Sequence, residues 1–196
     1  MGKDAFFTEA RRGFHAALLK SILRTDSSGV PSNADKASRQ SVAIAIGIME
    51  RLGSESKGAR LAAQMSGSKF EEICSEFLKE TFACLQHIRP GKWEVGKGLG
   101  SGRLGIAHFD QYEHLAALEK AAKDNPQLAA ALGSDYLIKP DVMIIRYPED
   151  DAVINQQKEL VNQDYARLTS LRVINNPRPI LHASVSCKWT LRSDRA

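Results

Sequence analysis

Cysteine is scarce in this sequence, and Cys74, Cys84 and Cys187 are odd in number and form no CxxC pair. Neither a disulfide framework nor a cysteine zinc site is indicated, and a reducing cytoplasm is the expected compartment. The five histidines, His15, His87, His108, His114 and His182, make no HExxH motif and no i, i+4 pair, so a histidine zinc site is not indicated either. No window approaches the roughly eighteen apolar residues of a membrane helix. The opening MGKDAFFTEARRGFHAALL is charged from its first turn and has no apolar signal-peptide core, so neither secretion nor membrane spanning is expected. Repeats and low-complexity tracts are also missing. Charge of one sign does not dominate: Lys+Arg 27 against Asp+Glu 23 leaves +4. Such a balance suits a polyanionic partner without demanding one.

What remains is an ordinary globular composition: 196 residues, 43% hydrophobic and 26% charged, enough for one domain with a sizeable core. Residues 4–24 carry Phe7, Phe14, Ala17, Leu18 and Ile22 at helical spacing, and Thr25–Asp35 is a polar loop. A second helix is expected over Ser38–Leu52, stopping at Gly53. A third begins near Ser68, where Phe70, Ile73, Cys74, Phe77, Leu78, Thr81 and Leu85 form one continuous stripe. Trp93–Val95 predicts a short strand, residues 96–105 a glycine-rich loop, His108–Asp124 a helix, and Pro126–Gly133 a short helix with proline first and glycine last. Asp141–Tyr147 and Ile180–Trp189 are rich in β-branched and aromatic residues and predict strands. In the second, His182, Ser184, Ser186 and Lys188 alternate with apolar neighbours, giving one polar face. The element order predicts mixed α/β. ILHASVSCKW has the character of a central strand, yet only Thr190–Ala196 follow it, and that tail reads as the start of a helix with Ser193 as cap, so a truncated chain is expected.

Pro140-Asp141 opens one of these strands and Ser186-Cys187-Lys188 closes the other. A carboxylate at a strand end can hold a hard cation, and a nearby lysine can orient water and stabilise charge on a phosphate. Those are the residue types of Mg²⁺-dependent phosphodiester cleavage, although a turn-forming Pro-Asp and a surface lysine account equally well for the spacing alone. The third helix offers Glu71, Glu72, Glu76 and Glu80. At about 100° per residue Glu71 lies about 70° from the centre of the apolar stripe, and the other three point well away. Arg192-Ser193-Asp194-Arg195 combines guanidinium groups that pair with guanine and a carboxylate that accepts from cytosine, and equally describes an exposed charged tail. Gly100–Gly105 formally matches GxGxxG, but its flanks lack the strand and helix that dinucleotide binding requires.

Taken together, these stretches resemble the NgoMIV-type type II restriction endonucleases, a CCGG-reading branch of the PD-(D/E)xK nuclease superfamily. The resemblance is carried by VPSNAD (Val30–Asp35), FEEICSEF (Phe70–Phe77), LQHIRPGKW (Leu85–Trp93), LAAALGSDY (Leu128–Tyr136), KPD (Lys139–Asp141) and LHASVSCKWTLRSDRA (Leu181–Ala196), in family order. It covers essentially the whole chain, with residues 96–105 and 148–175 least family-like. It implies a single endonuclease domain with a restriction-endonuclease-like core, a central mixed sheet flanked by helices, incomplete at the C-terminus. It places Asp141, Ser186, Lys188 and Glu71 at the catalytic site, with Asp141 and Glu71 as Mg²⁺ ligands. Ser186 stands where the wider superfamily has the acid two residues before the lysine. Arg192, Asp194 and Arg195 correspond to readers of the inner CCGG, Asp35 to a reader of the outer base pair, and Gln64 to a minor-groove contact. The implied partner is double-stranded DNA, cut at GCCGGC to staggered ends with 5′-phosphates by a homodimer or homotetramer. Family members continue past RSDRA into further strands and another active-site glutamate. The expectation is therefore an endonuclease, or a truncated form that binds DNA without cutting it or is a structural remnant; which group is the general base stays open.

Overall fold

The computed structural model of the chain describes residues 4–52, 63–98, 105–132 and 139–191. Its packing divides into two units, Met1–Thr81 with Cys187–Ala196, and Phe82–Ser186.

In the first unit, helical spacing of apolar residues produces α1 (Phe6–Ser21), α2 (Arg39–Leu52) and most of α3 (Ala63–Ala83). Leu18, Ile22, Leu23, Met49 and Ile73 form its core, with Phe14, Leu52, Phe70 and Trp189 packed around them. α1 stops at Ser21, short of the expected Arg24, because Ile22 and Leu23 turn into that core, their N–H groups both donating to the Leu18 carbonyl at 2.9 and 2.8 Å. The following loop is ordered by Asp26, whose Oδ1 accepts the N–H groups of Ser28 and Val30, each at 3.0 Å. Lys36, then Ser28 and the Val30 amide, hold the Asp26 carboxyl below the usual carboxylate range. α3 starts at Ala63 rather than near Ser68. Its buried side includes Ser66 and Ser75 beside Ile73 and Thr81, so the packed face is wider than the apolar stripe alone.

Among its described residues the second unit is built on three antiparallel strands in the order β1-β2-β3: β1 (Trp93–Lys97), β2 (Val142–Arg146) and β3 (Ile180–Val185). β2, the most apolar, is buried at every position. β3 has the character of a central strand in sequence but is an edge of the described sheet. Its outer backbone is covered by one side chain: Gln111 Nε2 donates to the Leu181 carbonyl at 2.9 Å, and the Leu181 N–H donates to Gln111 Oε1 at 3.1 Å. That contact reshapes the expected helix from His108. The segment becomes two 3₁₀ turns, Gly105–His108 and Asp110–Tyr112, before α4 (Leu115–Asp124) begins. Phe109, fully buried, sits between the turns with extended backbone, and the Asp110 N–H reaches the Pro179 carbonyl at 3.0 Å. Ile106, Phe109 and Leu115 pack on Met143, Ile145 and Leu181 as this unit's core.

α5 (Pro126–Leu132) begins at the proline as expected, with Asn125 Oδ1 accepting the N–H groups of Gln127 and Leu128, both at 3.1 Å. A short helix that periodicity does not reveal, α6 (Asp151–Ile154), follows β2. The irregular segment after it is gathered by Arg172, which bridges both Asp151 carboxylate oxygens and donates to the Arg167 carbonyl at 2.9 Å. Among the described residues no helix is long and apolar enough to cross a membrane. The glycine-rich segment lies largely outside the described residues.

The last residue of β2 is a buried cation. Arg146 pairs with Glu149 at 2.6 Å, donates to the Pro90 carbonyl at 2.8 Å and lies over the Trp93 ring at 4.9 Å. Its guanidinium fills the space in front of Gly91, where a Cβ would fall 1.1 Å from Nη1, and Gly91 has φ +139°. Gly91→Ala must therefore both strain the backbone and displace a paired buried cation. Loss of about 1–3 kcal/mol in chemical denaturation is expected, and an unchanged midpoint would contradict this packing.

Candidate functional site

Antiparallel register brings the two sequence-predicted strand-end residues together. Val142 lies opposite Val185, so Asp141 and Ser186 stand one step beyond the ladder on neighbouring strands. The Asp141 N–H donates to the Val185 carbonyl at 3.1 Å, which extends the ladder and fixes the carboxylate's backbone. The Ser186 hydroxyl donates to Asp141 Oδ2 at 3.4 Å, a long and solvent-facing contact. On β3 itself His182 and Ser184 are exposed and Leu181 is buried, as the expected alternation requires.

The other two expected catalytic residues belong to the first unit. Trp189 packs against Phe70 with ring centroids 5.4 Å apart. The residue after Lys188 thus touches the residue before Glu71. Lys188 is exposed. Glu71 is half-buried whereas Glu72, Glu76 and Glu80 are exposed, which agrees with its place at the edge of the stripe. Those three acids instead rim a groove of about 560 Å³ between α1 and α3, floored by Phe14, Ile73 and Phe77. Glu71 does not line it.

Of the expected DNA-reading residues, Asp35 is half-buried, and its Oδ1 accepts the Ala37 N–H at 3.1 Å in a local turn. Gln64 sits in the first turn of α3, its side chain outside the described part. Arg192, Asp194 and Arg195 also lie outside the described residues.

Oxygen is the chemistry of the Asp141–Ser186 pair: one carboxylate and one hydroxyl at an open strand end. Hard divalent cations take such donors, and Mg²⁺ in particular binds through one or two carboxylates while keeping several waters. Among the described residues no three His, Cys, Asp or Glu side chains gather into a cage.

Sequence reasoning did not find a cluster on β3 towards the other end of the ladder, where Trp93 lies opposite Arg146. Arg89 Nη1 donates to His182 Nε2 at 3.1 Å, and the Trp93 ring meets the imidazole edge-on at 4.8 Å. Because guanidinium only donates, Nε2 must be the acceptor and the ring proton sits on Nδ1. No short motif links Arg89 to His182. The clue in sequence is only that His182 occupies the polar side of β3.

Two comparisons bear on the whole chain. The family described as NgoMIV restriction enzyme matches residues 14–196. The Type II restriction enzyme NgoMIV of Neisseria gonorrhoeae is 53% identical over 194 residues, an alignment that takes in 98% of this chain and 68% of that relative.

The His182 environment sets a pH dependence. Partial desolvation of the ring where it packs on Trp93, then the charges of Arg89 and Arg146, lower its pKa from the ordinary 6.5. The unfolded chain thus binds this proton more readily than the folded one, and the His182 contribution to stability is complete above 6.5 and falls as pH drops below it. An imidazole titration followed by NMR should give a midpoint below 6.5 that rises in Arg89→Ala. A midpoint at or above 6.5 in the parent chain would overturn this assignment.

Proposed function

The chain belongs to the NgoMIV restriction-enzyme family, and from that premise we propose that it is a Mg²⁺-dependent endonuclease cutting double-stranded DNA at GCCGGC. The observation that carries the reading is identity sustained along 98% of the chain to a type II restriction enzyme. The Asp141–Ser186 contact supports it chemically. Both packed units form one endonuclease domain in this reading, acting as a homodimer or homotetramer.

Asp141 and Glu71 would hold the cation, and Ser186, in contact with Asp141 Oδ2, would supply a supporting oxygen. When bound, Mg²⁺ supplies Lewis-acid stabilisation of the charge that develops on the scissile phosphate. Lys188 carries a positive charge and three donors, suited to orienting the attacking water and holding a non-bridging phosphate oxygen as that charge grows. Hydrolysis forms a bond from the water oxygen to phosphorus and breaks the bond to the 3′-oxygen. The water proton leaves to solvent and the departing oxygen takes one up, so the products are a 3′-hydroxyl and a 5′-phosphate. On opposite strands of the palindrome the two cuts leave staggered ends.

Recognition falls to Arg192, Asp194 and Arg195 at the inner CCGG, to Asp35 at the outer pair, and to Gln64 from the minor groove. Arginine is bidentate to guanine O6 and N7, and a carboxylate accepts from cytosine N4. That chemistry matches a site made only of G·C pairs.

Plasmid DNA bearing GCCGGC should be cut into discrete fragments with Mg²⁺ and left intact without it. Binding that is specific for the site but never followed by cutting would make the chain a DNA-binding form. Asp141→Ala should reduce cleavage to background while a gel shift retains site-specific binding; equal loss of both would argue against a role in holding the cation. Arg195→Ala should cost about 1–3 kcal/mol of discrimination at one guanine, measured by competition among CCGG variants. An unaltered preference would remove Arg195 from the recognition surface.

A further inference from the structure

Phe70, Cys74, Leu78 and Phe82 follow one another at i, i+4 spacing and form one ridge of α3. Aromatic contacts fasten the same run of chain to both ends of this ridge. Phe82 meets His182 with ring centroids 6.2 Å apart, and Phe70 meets Trp189 at 5.4 Å. Residues 182–189 therefore follow the ridge in the direction opposite to the helix. Exposure alternates beyond β3: Ser186 and Lys188 are exposed, Cys187 and Trp189 half-buried, so Cys187 shares the covered side with the ring that touches α3. From Phe70 one turn along the ridge rises about 6 Å and ends at Cys74. From Trp189 two extended residues back span about 6.6 Å and end at Cys187. The two steps start from one contact, run the same way and are nearly equal, so they bring Cys74 and Cys187 opposite each other. Both are thiols, half-buried and within the first packed unit, whereas Cys84 is exposed in the 3₁₀ turn Cys84–His87 that follows the helix.

We propose that Cys74 and Cys187 are a redox modification site, a thiol pair that a small-molecule disulfide converts to an internal disulfide and that switches cleavage off while the link persists. The regulatory part rests on the function proposed above; the pairing of the thiols does not. The thiolate of one cysteine attacks a sulfur of the oxidant, forming a mixed disulfide and releasing one small-molecule thiolate. The other cysteine, as thiolate, attacks the protein-bound sulfur of that mixed disulfide and expels the second. Two protein thiols are oxidised, giving up two electrons and two protons, and one small-molecule disulfide is reduced to two thiols. Cys187 lies between Ser186 and Lys188, and Cys74 is the i, i+3 neighbour of Glu71, so the link would form beside three of the four proposed catalytic residues. At the adjoining contact two aromatic rings separate helix and chain, whereas a disulfide needs Cα atoms about 4.4–6.8 Å apart. Bridging therefore draws Cys187 toward α3, carries Lys188 with it and disturbs the 3.4 Å contact of Ser186 with Asp141.

The test treats the full chain with oxidised glutathione in the absence of DNA, blocks the remaining thiols and maps all three cysteines by peptide mass spectrometry. A cross-linked Cys74–Cys187 peptide is expected, with glutathione retained only on Cys84. Glutathione retained on Cys74 or Cys187, or both recovered as thiols under conditions that modify Cys84, would overturn the pairing. The same samples are then assayed with Mg²⁺ on plasmid bearing GCCGGC. Oxidation should lower cleavage by on the order of 100-fold, the scale of a misplacement of about 1 Å at a reacting group, and dithiothreitol should restore it. Cys84→Ser should respond as the unsubstituted chain does, and the double variant Cys74→Ser, Cys187→Ser should cut equally with and without the oxidant. A cross-link that forms and leaves cleavage unchanged, or inhibition that persists in the double variant, would overturn the switch. A reduced, unsubstituted chain that does not cut GCCGGC would overturn the endonuclease reading and the regulatory role with it, while the mass map still decides the pairing.

Discussion

Five consecutive buried residues in β2 dictate how the second unit is assembled. A strand covered on both faces must also have both backbone edges paired, since an unpaired buried N–H or C=O costs about as much as a lost hydrogen bond. β1 and β3 meet that need from either side, both antiparallel. The placement of Asp141 beside Ser186 is then a by-product of the ladder. Their backbones are positioned by Val142 opposite Val185 and by the Asp141 N–H on the Val185 carbonyl. A slip of one residue would turn the apolar side chains of β3 to the wrong face and pull the two oxygens apart, so the packing that stabilises the sheet also protects the pair.

The fifth buried residue of β2 is an arginine, and its cost is offset locally. Removing a guanidinium from water is unfavourable unless its charge and its donors are both met. Glu149 meets the charge, the Pro90 carbonyl meets one donor and the Trp93 ring covers the planar face, while Nε is buried without a hydrogen-bond partner, so the offset is incomplete. Burial lowers the Arg146 pKa while Glu149 raises it, the expected opposition for a paired interior cation. The same Trp93 ring meets His182 on the far strand. The Trp93 ring therefore touches a side chain from each of the other two strands, and Gly91 leaves room for the Arg146 guanidinium.

What the sequence made legible was whatever repeats with a local period. The stripe on α3, the alternation along β3, Pro126 at the head of α5 and the intermediate placement of Glu71 all follow from spacing within about two helical turns. The elements that escaped are held by distant partners. Gln111 bonds Leu181 70 residues away, and this splits the helix expected from His108. Arg89 meets His182 across 93 residues and Ser41 meets Leu191 across 150. The end of β3 shows the same limit. Ile180–Trp189 reads as one strand because the alternation persists, yet the ladder with β2 ends at Val185, and residues 189–191 pack with Phe70 and Asn33 instead. Alternation records which side of the backbone is covered, not which partner covers it. The proposed site residues Asp141, Ser186, Lys188 and Glu71 were named through family resemblance, whereas spacing alone left Pro-Asp and Lys with an equally good surface explanation.

Asp141 and Asp35 are supported in different ways, and the difference would suit the cation-holding and base-reading tasks proposed for them. A carboxylate that holds a cation needs a fixed backbone and an open side chain, and a strand end provides both. Asp35 instead sits in a loop, where no ladder is available. Its position is set by side chains bonding to main chain: Asp26 ordering Thr25–Val30, Ser38 capping α2, and Ser41 joining Asp35 to Leu191. Such bonds are individually worth only about 0.5–1.5 kcal/mol net, but they remove conformations rather than add contacts. An irregular segment can in this way be rigid enough for base-edge discrimination while its sequence remains free of the periodic demands of helix and strand.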